Sequence, residues 1–226
     1  MDCLVHYRRS GVTWTSQSKS LQFGEMAEMP RTARGRATRE RIVTAATALI
    51  RERGVAGSSV DDVIERAGAS KSQLYLYFDD RAALLREVIA QNAELVLQVQ
   101  EPHLSSLDSW KAIRAWLDSL VQLQVAGRGR GGCPIGSLVG QFAETDEQAR
   151  RLLSDSFARW EQPLRRGLRS MKKRGKLDRS ADPDRLATAT LAAIQGGLVL
   201  TQTRRDPGQL AIALEAAYAH LRSHAA

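Results

Sequence analysis

Five neighbouring residues have the side-chain types that recognise duplex DNA. Lys71, Ser72, Gln73, Tyr75 and Leu76 bring together an ammonium, a hydroxyl, an amide, a phenol and an apolar tip. The first four types meet phosphate oxygens and base edges. Leu74, Tyr77 and Phe78 offer the same helix an inward face. Ser70 and Gln73 have the spacing of a capping box, with Ser70 as N-cap and Gln73 at N3. The helix therefore starts at a defined N-terminus whose unpaired N–H groups favour anions. The plainer reading is a core helix with polar residues on its wet side. Tyr75 beside Leu76 argues against that, because two large, partly apolar residues facing water need a reason.

The elements before this helix must hold it in place. Gly68-Ala69-Ser70 is a three-residue turn with a leading glycine. It joins the reading helix to a short stripe, Val60, Val63, Ile64 and Ala67, behind the cap candidate Ser59. Two short helices joined this way form a helix-turn-helix. Ser59 is placed with the DNA-contacting residues. Upstream, Ile42, Ala45, Ala46, Leu49 and Ile50 mark one face of a helix that Gly54 and Gly57 end. The segment from Arg31 to Arg41 carries Arg31, Arg34, Arg36, Arg39 and Arg41 against Glu40 alone. Such a run is either a solvated face or a DNA-contacting arm, and Arg36 and Arg39 are its candidate contacts.

The rest reads as helix after helix. Asp79 and Asp80 can cap a helix through Leu84, Leu85, Val88, Ile89, Leu95 and Val96, which Pro102 ends. Ser109 caps a helix through Trp110, Ile113, Trp116, Leu117 and Leu120. Gly127 to Gly132 reads as a loop, and Pro134 opens a short helix through Leu138 and Phe142. A long helix runs from about Glu144 to Arg174, with Pro163 as a kink. Asp182-Pro183 and Asp206-Pro207 each place an N-cap before a proline at N1. No segment reads as a strand. The expected fold is all-α with about nine helices. Residues 1–29 read as a disordered tail or a mis-assigned start, with Met26 and Met29 as other starts. Residues 30–82 read as the DNA-binding domain and 83–226 as a ligand-binding and dimerisation domain.

Composition agrees with a soluble, cytoplasmic protein that has an anionic partner. Of 226 residues, 43% are hydrophobic and 26% charged, which disfavours bulk disorder. A net charge of +8 fits a polyanion. Two cysteines, Cys3 and Cys133, exclude a disulfide framework. The longest uncharged stretch, Leu186 to Thr203, holds four Thr, two Gln and a Gly pair, too polar for a membrane span. No secretory signal is visible.

Thr38 to Leu85 resembles the DNA-binding domain of TetR-family transcriptional regulators of bacteria. The resemblance rests on the run from Ser59 to Phe78 followed by Arg81-Ala82-Ala83-Leu84-Leu85. It implies that Lys71, Ser72, Gln73, Leu76 and Tyr77 meet bases or backbone, that Tyr75 contacts phosphate, and that Arg81 grips phosphate. Gln73 and Leu76 depart from the residues usual there, which bears on the operator sequence. Gly132-Cys133-Pro134-Ile135-Gly136-Ser137-Leu138 resembles the LmrA/YxaF-like ligand-binding domain of the same family. That subgroup implies a repressor of export or detoxification genes, released by a small planar molecule.

The C-terminal half supplies candidates for assembly and ligand binding. Leu210, Leu214, Ala217, Tyr218 and Leu221 form one stripe, and Ala189, Ala193 and Gly197 put small residues at i, i+4, i+8 on the preceding helix. Both suit a four-helix bundle made with a second copy; an intramolecular core is the other reading. A two-fold dimer favours a palindromic operator. Trp116, Phe142, Trp160 and Gln195 are the expected lining of an apolar ligand cavity, although aromatics at helical spacing also make plain core. No cofactor, metal or membrane partner is expected. Gly127 to Gly132 matches G-x-G-x-x-G only formally, because a helix precedes it instead of a strand. His220 and His224 lack a third metal ligand. The basic cluster from Arg165 to Lys176 reads as a solvated helix end. An enzyme using the aromatic pocket and a helical protein-binding adaptor are the alternative classes; no nucleophile or acid–base pair is visible for the first.

Overall fold

Local capping signals divide the chain into helices. The computed structural model describes residues 32–226, so the expectations for residues 1–29, Arg31 and Cys3 lie outside the described residues. Nine helices are present among them. These are α1 (Ala33–Arg53), α2 (Val60–Ala67), α3 (Lys71–Tyr77), α4 (Arg81–Leu104), α5 (Trp110–Ala126), α6 (Gly136–Phe142), α7 (Glu147–Lys173), α8 (Pro183–Arg204) and α9 (Gly208–Arg222). The described residues contain no strand, only an isolated bridge between Leu177 and Ala225. No helix among them is long and apolar enough to cross a membrane.

The basic run is not an arm ahead of the first helix. Thr32 caps α1 by accepting from the Gly35 N–H, so Arg34, Arg36, Arg39 and Arg41 all lie on α1 itself. The long inner face of α1 runs from Thr38 through Ile42, Ala45, Ala46 and Leu49 to Ile50. Gly54, at φ 75°, ends it. The helix α4 starts at Asp80, whose side chain accepts from the Ala83 N–H at 2.6 Å. It packs on α1 near its start and on α7 further along. Pro102 lies in its last turn rather than ending it, and Pro163 lies within α7. Asp182 caps α8 with Pro183 at N1, as the spacing predicts. At α9 the helix starts one residue later, at Gly208, and Asp206 accepts from the Gly208 N–H at 2.8 Å.

The expected dimer stripe divides in two. Leu210, Leu214 and Leu221 are at most 2% exposed within one protomer. Gly197 faces α9 so closely that a Cβ there would stand 2.7 Å from Leu210 Cδ1. These four residues pack α8 onto α9 of the same chain, which corrects their assignment to an interface. Tyr218 is half-buried; its hydroxyl donates to the Trp110 carbonyl at 3.2 Å, under the Arg114 guanidinium. Ala193 and Ala217 are half-buried and Ala189 is exposed. The apolar residues left facing water on these helices are in another register: Val199 and Leu200 on α8 and Ile212 on α9, with Ala192, Gly196, Ala216 and Ala219 beside them.

Candidate nucleic-acid interface

Two capped turns aim α3. Gly68 adopts the left-handed conformation, φ 58°, that lets the chain leave α2 and re-enter a helix within three residues. Ser70 then accepts from the Gln73 N–H at 3.2 Å, while Gln73 Oε1 accepts from the Ser70 N–H at 2.9 Å. A seven-residue helix is too short to be stable alone; this box and its buried side supply the order. Leu74 is wholly buried and Phe78 nearly so, both in the core shared with α1.

The opposite side faces water. Lys71, Ser72, Tyr75 and Leu76 are exposed, Leu76 by 73%. An exposed leucine in a helix whose other leucine, Leu74, is buried offers a contact of the kind that meets a thymine methyl. Gln73 and Tyr77 are half-buried, and Tyr77 packs against the core. Gln73 therefore works partly as a cap, with its carbonyl oxygen already engaged.

Three other expected contacts are engaged by partners within the chain. Arg39 pairs with Glu87 of α4 at 2.8 Å and lies over the Phe78 ring, its side chain 15% exposed. It braces α1, α3 and α4 together and is not presented as part of an arm. Arg81 Nη2 donates to the Val55 and Ser58 carbonyls at 2.6 and 2.9 Å. This ties the start of α4 to the α1–α2 loop, so only the rest of the guanidinium is left for phosphate. Ser59 makes a reciprocal capping box with Asp62, whose carboxyl the Ser59 hydroxyl holds below its ordinary range. Arg36 is exposed on α1. Sequence reading missed the partners of Arg39 and Arg81, because a side-chain ion pair and loop carbonyls leave no periodic trace.

The expected ligand residues fall into separate environments. Trp116 on α5 and Trp160 on α7 are each 2% exposed. Both indole N–H groups donate to the same atom, Oε1 of Gln100 on α4, at 2.9 Å. Gln100 Nε2 donates in turn to the Val96 carbonyl at 3.1 Å. This is a satisfied interior cluster, in which both tryptophans are engaged in this conformation. The signal was present in the sequence as a polar residue, Gln100, in line with Val96 and Leu104 on a buried stripe. Phe142 is half-buried against the core. Gln195 adjoins Gly136 and Cys133, and its buried Nε2 has no hydrogen-bond partner. Burial pushes the Cys133 thiol up, so it is held as a neutral packing group.

Comparison with known proteins agrees with this architecture. Residues 42–88 match the model described as bacterial regulatory proteins, tetR family, and residues 109–216 that of the LmrA/YxaF-like transcriptional regulator C-terminal domain. An HTH-type transcriptional regulator of Mycobacterium tuberculosis is 30% identical over 175 residues, covering 74% of this chain and 86% of the relative. The chain belongs to the TetR family of transcriptional regulators. A second relative, an HTH-type transcriptional regulator from Lactococcus lactis subsp. lactis, is 28% identical over 179 residues, covering 76% of this chain and 86% of its own. A TetR transcriptional regulator from Chloroflexus aurantiacus shares the fold at a TM-score of 0.73 and 22% identity, covering 86% of this chain and 98% of that one. These TetR-family relatives are regulators of transcription, not enzymes.

Proposed function

We propose that two copies of this chain form a repressor that binds a palindromic operator and leaves it when a small, planar, hydrophobic effector binds. The observation that carries this reading is the split of α3 into a buried side, Leu74 and Phe78, and an exposed one, Lys71, Ser72, Tyr75 and Leu76. Lys71 and the exposed edge of Gln73 read base edges, Leu76 meets a methyl group, and Tyr75, with Ser72 and the exposed Arg36, meets phosphate. The exposed Val199, Leu200 and Ile212 give α8 and α9 the face that a second copy covers. Such a pair sets two α3 helices about 34–36 Å apart, one duplex turn.

For the effector, the proposed lining is still Trp116, Phe142, Trp160 and Gln195. The unpartnered Gln195 amide is the polar anchor. Reaching the two indoles requires them to part from Gln100, which would free α4 from α5 and α7. Release then follows if the ligand prefers the conformation with the wrong head spacing.

Quantitative gel shift and footprinting over promoter fragments test the reading. The expected result is a protected palindrome, with Lys71→Ala costing about 1–3 kcal/mol and relaxing specificity. Tyr75→Ala should weaken all sequences alike and, because the phenol is uncharged, leave the salt slope unchanged. Unchanged operator affinity in a Lys71→Ala, Gln73→Ala, Tyr75→Ala variant would overturn it.

A further inference from the structure

A cleft of about 1060 Å³ opens where the C-terminal half of α1 meets α4, the α5–α6 loop, α6 and the end of α8. It is separate from the tryptophan interior and from the α3 surface. Three guanidinium groups converge on it from different elements: Arg51 of α1, Arg130 of the loop, and Arg205, the C-cap of α8. Among the described residues, none of the three has a carboxylate partner. The one acid on the wall, Glu52, is already engaged with Arg66 of α2 at 2.9 Å. Arg205 has only a long bond from Nη1 to the Gly129 carbonyl, 3.5 Å.

The loop is shaped to bring these groups together. Gly129, Gly131 and Gly132 all have positive φ, as does Arg205. A Cβ at Gly132 would overlap the Gln202 side chain, and one at Gly131 would touch Arg51 Nη2 at 3.8 Å. The positive φ values favour glycine along this loop, and at Gly129 a Cβ would also stand 3.0 Å from the Arg205 backbone. The remaining wall is apolar or neutral and polar, with Ile50, Leu95 and Leu138 among the first and Thr44, Thr47, Gln91 and Gln202 among the second. Leu95 stands exposed.

Uncompensated cations over an apolar floor select one ligand class. We propose that this cleft binds a small organic anion with an apolar body. Its carboxylate or sulfonate accepts from Arg51, Arg130 and Arg205, and its body lies on Ile50 and Leu95. Guanidinium forks bond two oxygens of such oxyanions at once, and the volume is ample for a drug-sized molecule. A bound anion bridges α1 to the loop and to α8, tying the helix-turn-helix to the rest of the chain. Only this consequence for the operator rests on the regulator reading.

Calorimetric titration of the full chain with 2-naphthoate, against its uncharged counterpart 2-naphthylmethanol, tests the site. The acid should bind about tenfold or more tightly than the alcohol. Arg51→Gln and Arg130→Gln should each weaken the acid about tenfold, while Arg179→Gln, an exposed change elsewhere, should leave it unmoved. Equal binding of acid and alcohol would overturn the proposal. So would no binding of the acid by folded protein at millimolar concentration, or wild-type affinity in the Arg51→Gln, Arg130→Gln variant. If that variant loses affinity for random duplex DNA and keeps it for naphthoate, the arginines serve phosphate and the proposal falls. A chain that shifts its operator but ignores naphthoate loses this site and keeps the regulator reading.

Discussion

Replacing Gln100 by leucine isolates the polar cluster between α4, α5 and α7. The substitution removes one oxygen and with it the acceptor of two indole N–H groups, each 2.9 Å away and each on a tryptophan 2% exposed. A buried donor left unsatisfied costs about 1–3 kcal/mol, so two cost about 2–6. Against this, the variant no longer buries a carboxamide, which returns about 1–3 kcal/mol. The net expectation is a loss of about 2 kcal/mol, or roughly 4–8 °C in Tm for a chain of this size. Thermal and urea melts at one fixed protein concentration would measure it. Trp116→Phe in the Gln100→Leu background removes one of the orphaned donors. That double variant should recover part of the loss, and the cycle should show coupling. A Gln100→Leu protein as stable as the wild type, with no coupling to Trp116, would refute the reasoning.

Other perturbations test different parts of the molecule. Gly167→Ala places a Cβ against the Leu107 carbonyl; it should cost about 1–3 kcal/mol by forcing α7 off the α4–α5 loop, and an unchanged melt would contradict that packing. Arg39→Met breaks the pair with Glu87 and the contact over Phe78. It should lower stability by about 1 kcal/mol and leave the salt slope of DNA binding unchanged, whereas a slope reduced by about one would return Arg39 to the phosphate-contacting set. Hydrogen bonds from Arg150 and Arg151 hold the Glu147 carboxyl down from 4.5 to about 2. A group lowered in the folded state stabilises above its unfolded value and loses that contribution as pH falls through the folded one. The Tm gap between wild type and Glu147→Gln should therefore be full above pH 4.5 and close toward about 2; a gap constant across that range would sink the assignment.

The parts of this fold that were legible in the sequence are those set by near neighbours in the chain. Ser59, Ser70, Asp80, Ser109 and Asp182 each cap a helix where spacing predicted, because a cap involves residues two or three apart. The exposed and buried sides of α3 were legible for the same reason. The α8 and α9 stripes were not. A row of Leu210, Leu214 and Leu221 shows that something covers it, but periodicity does not distinguish the same chain from a second one. The basic run misled in a similar way. Charge predicts solvent or phosphate, while Arg39 is held by a carboxylate 48 positions further on. The cleft of three arginines depends on three separate segments meeting, which no local pattern encodes.

The 24 residues of α4 form a rod about 36 Å long, rooted at Leu104 among α5 and α7 and ending at Arg81 beside the α1–α2 loop. Its gearing is geometric. A swing of about 5° at the root carries the tip through an arc of about 3 Å, nearly the rise of one base step, about 3.4 Å. On the proposed regulator reading, an operator half-site would then fall out of phase with its reader after only a small rearrangement at the root.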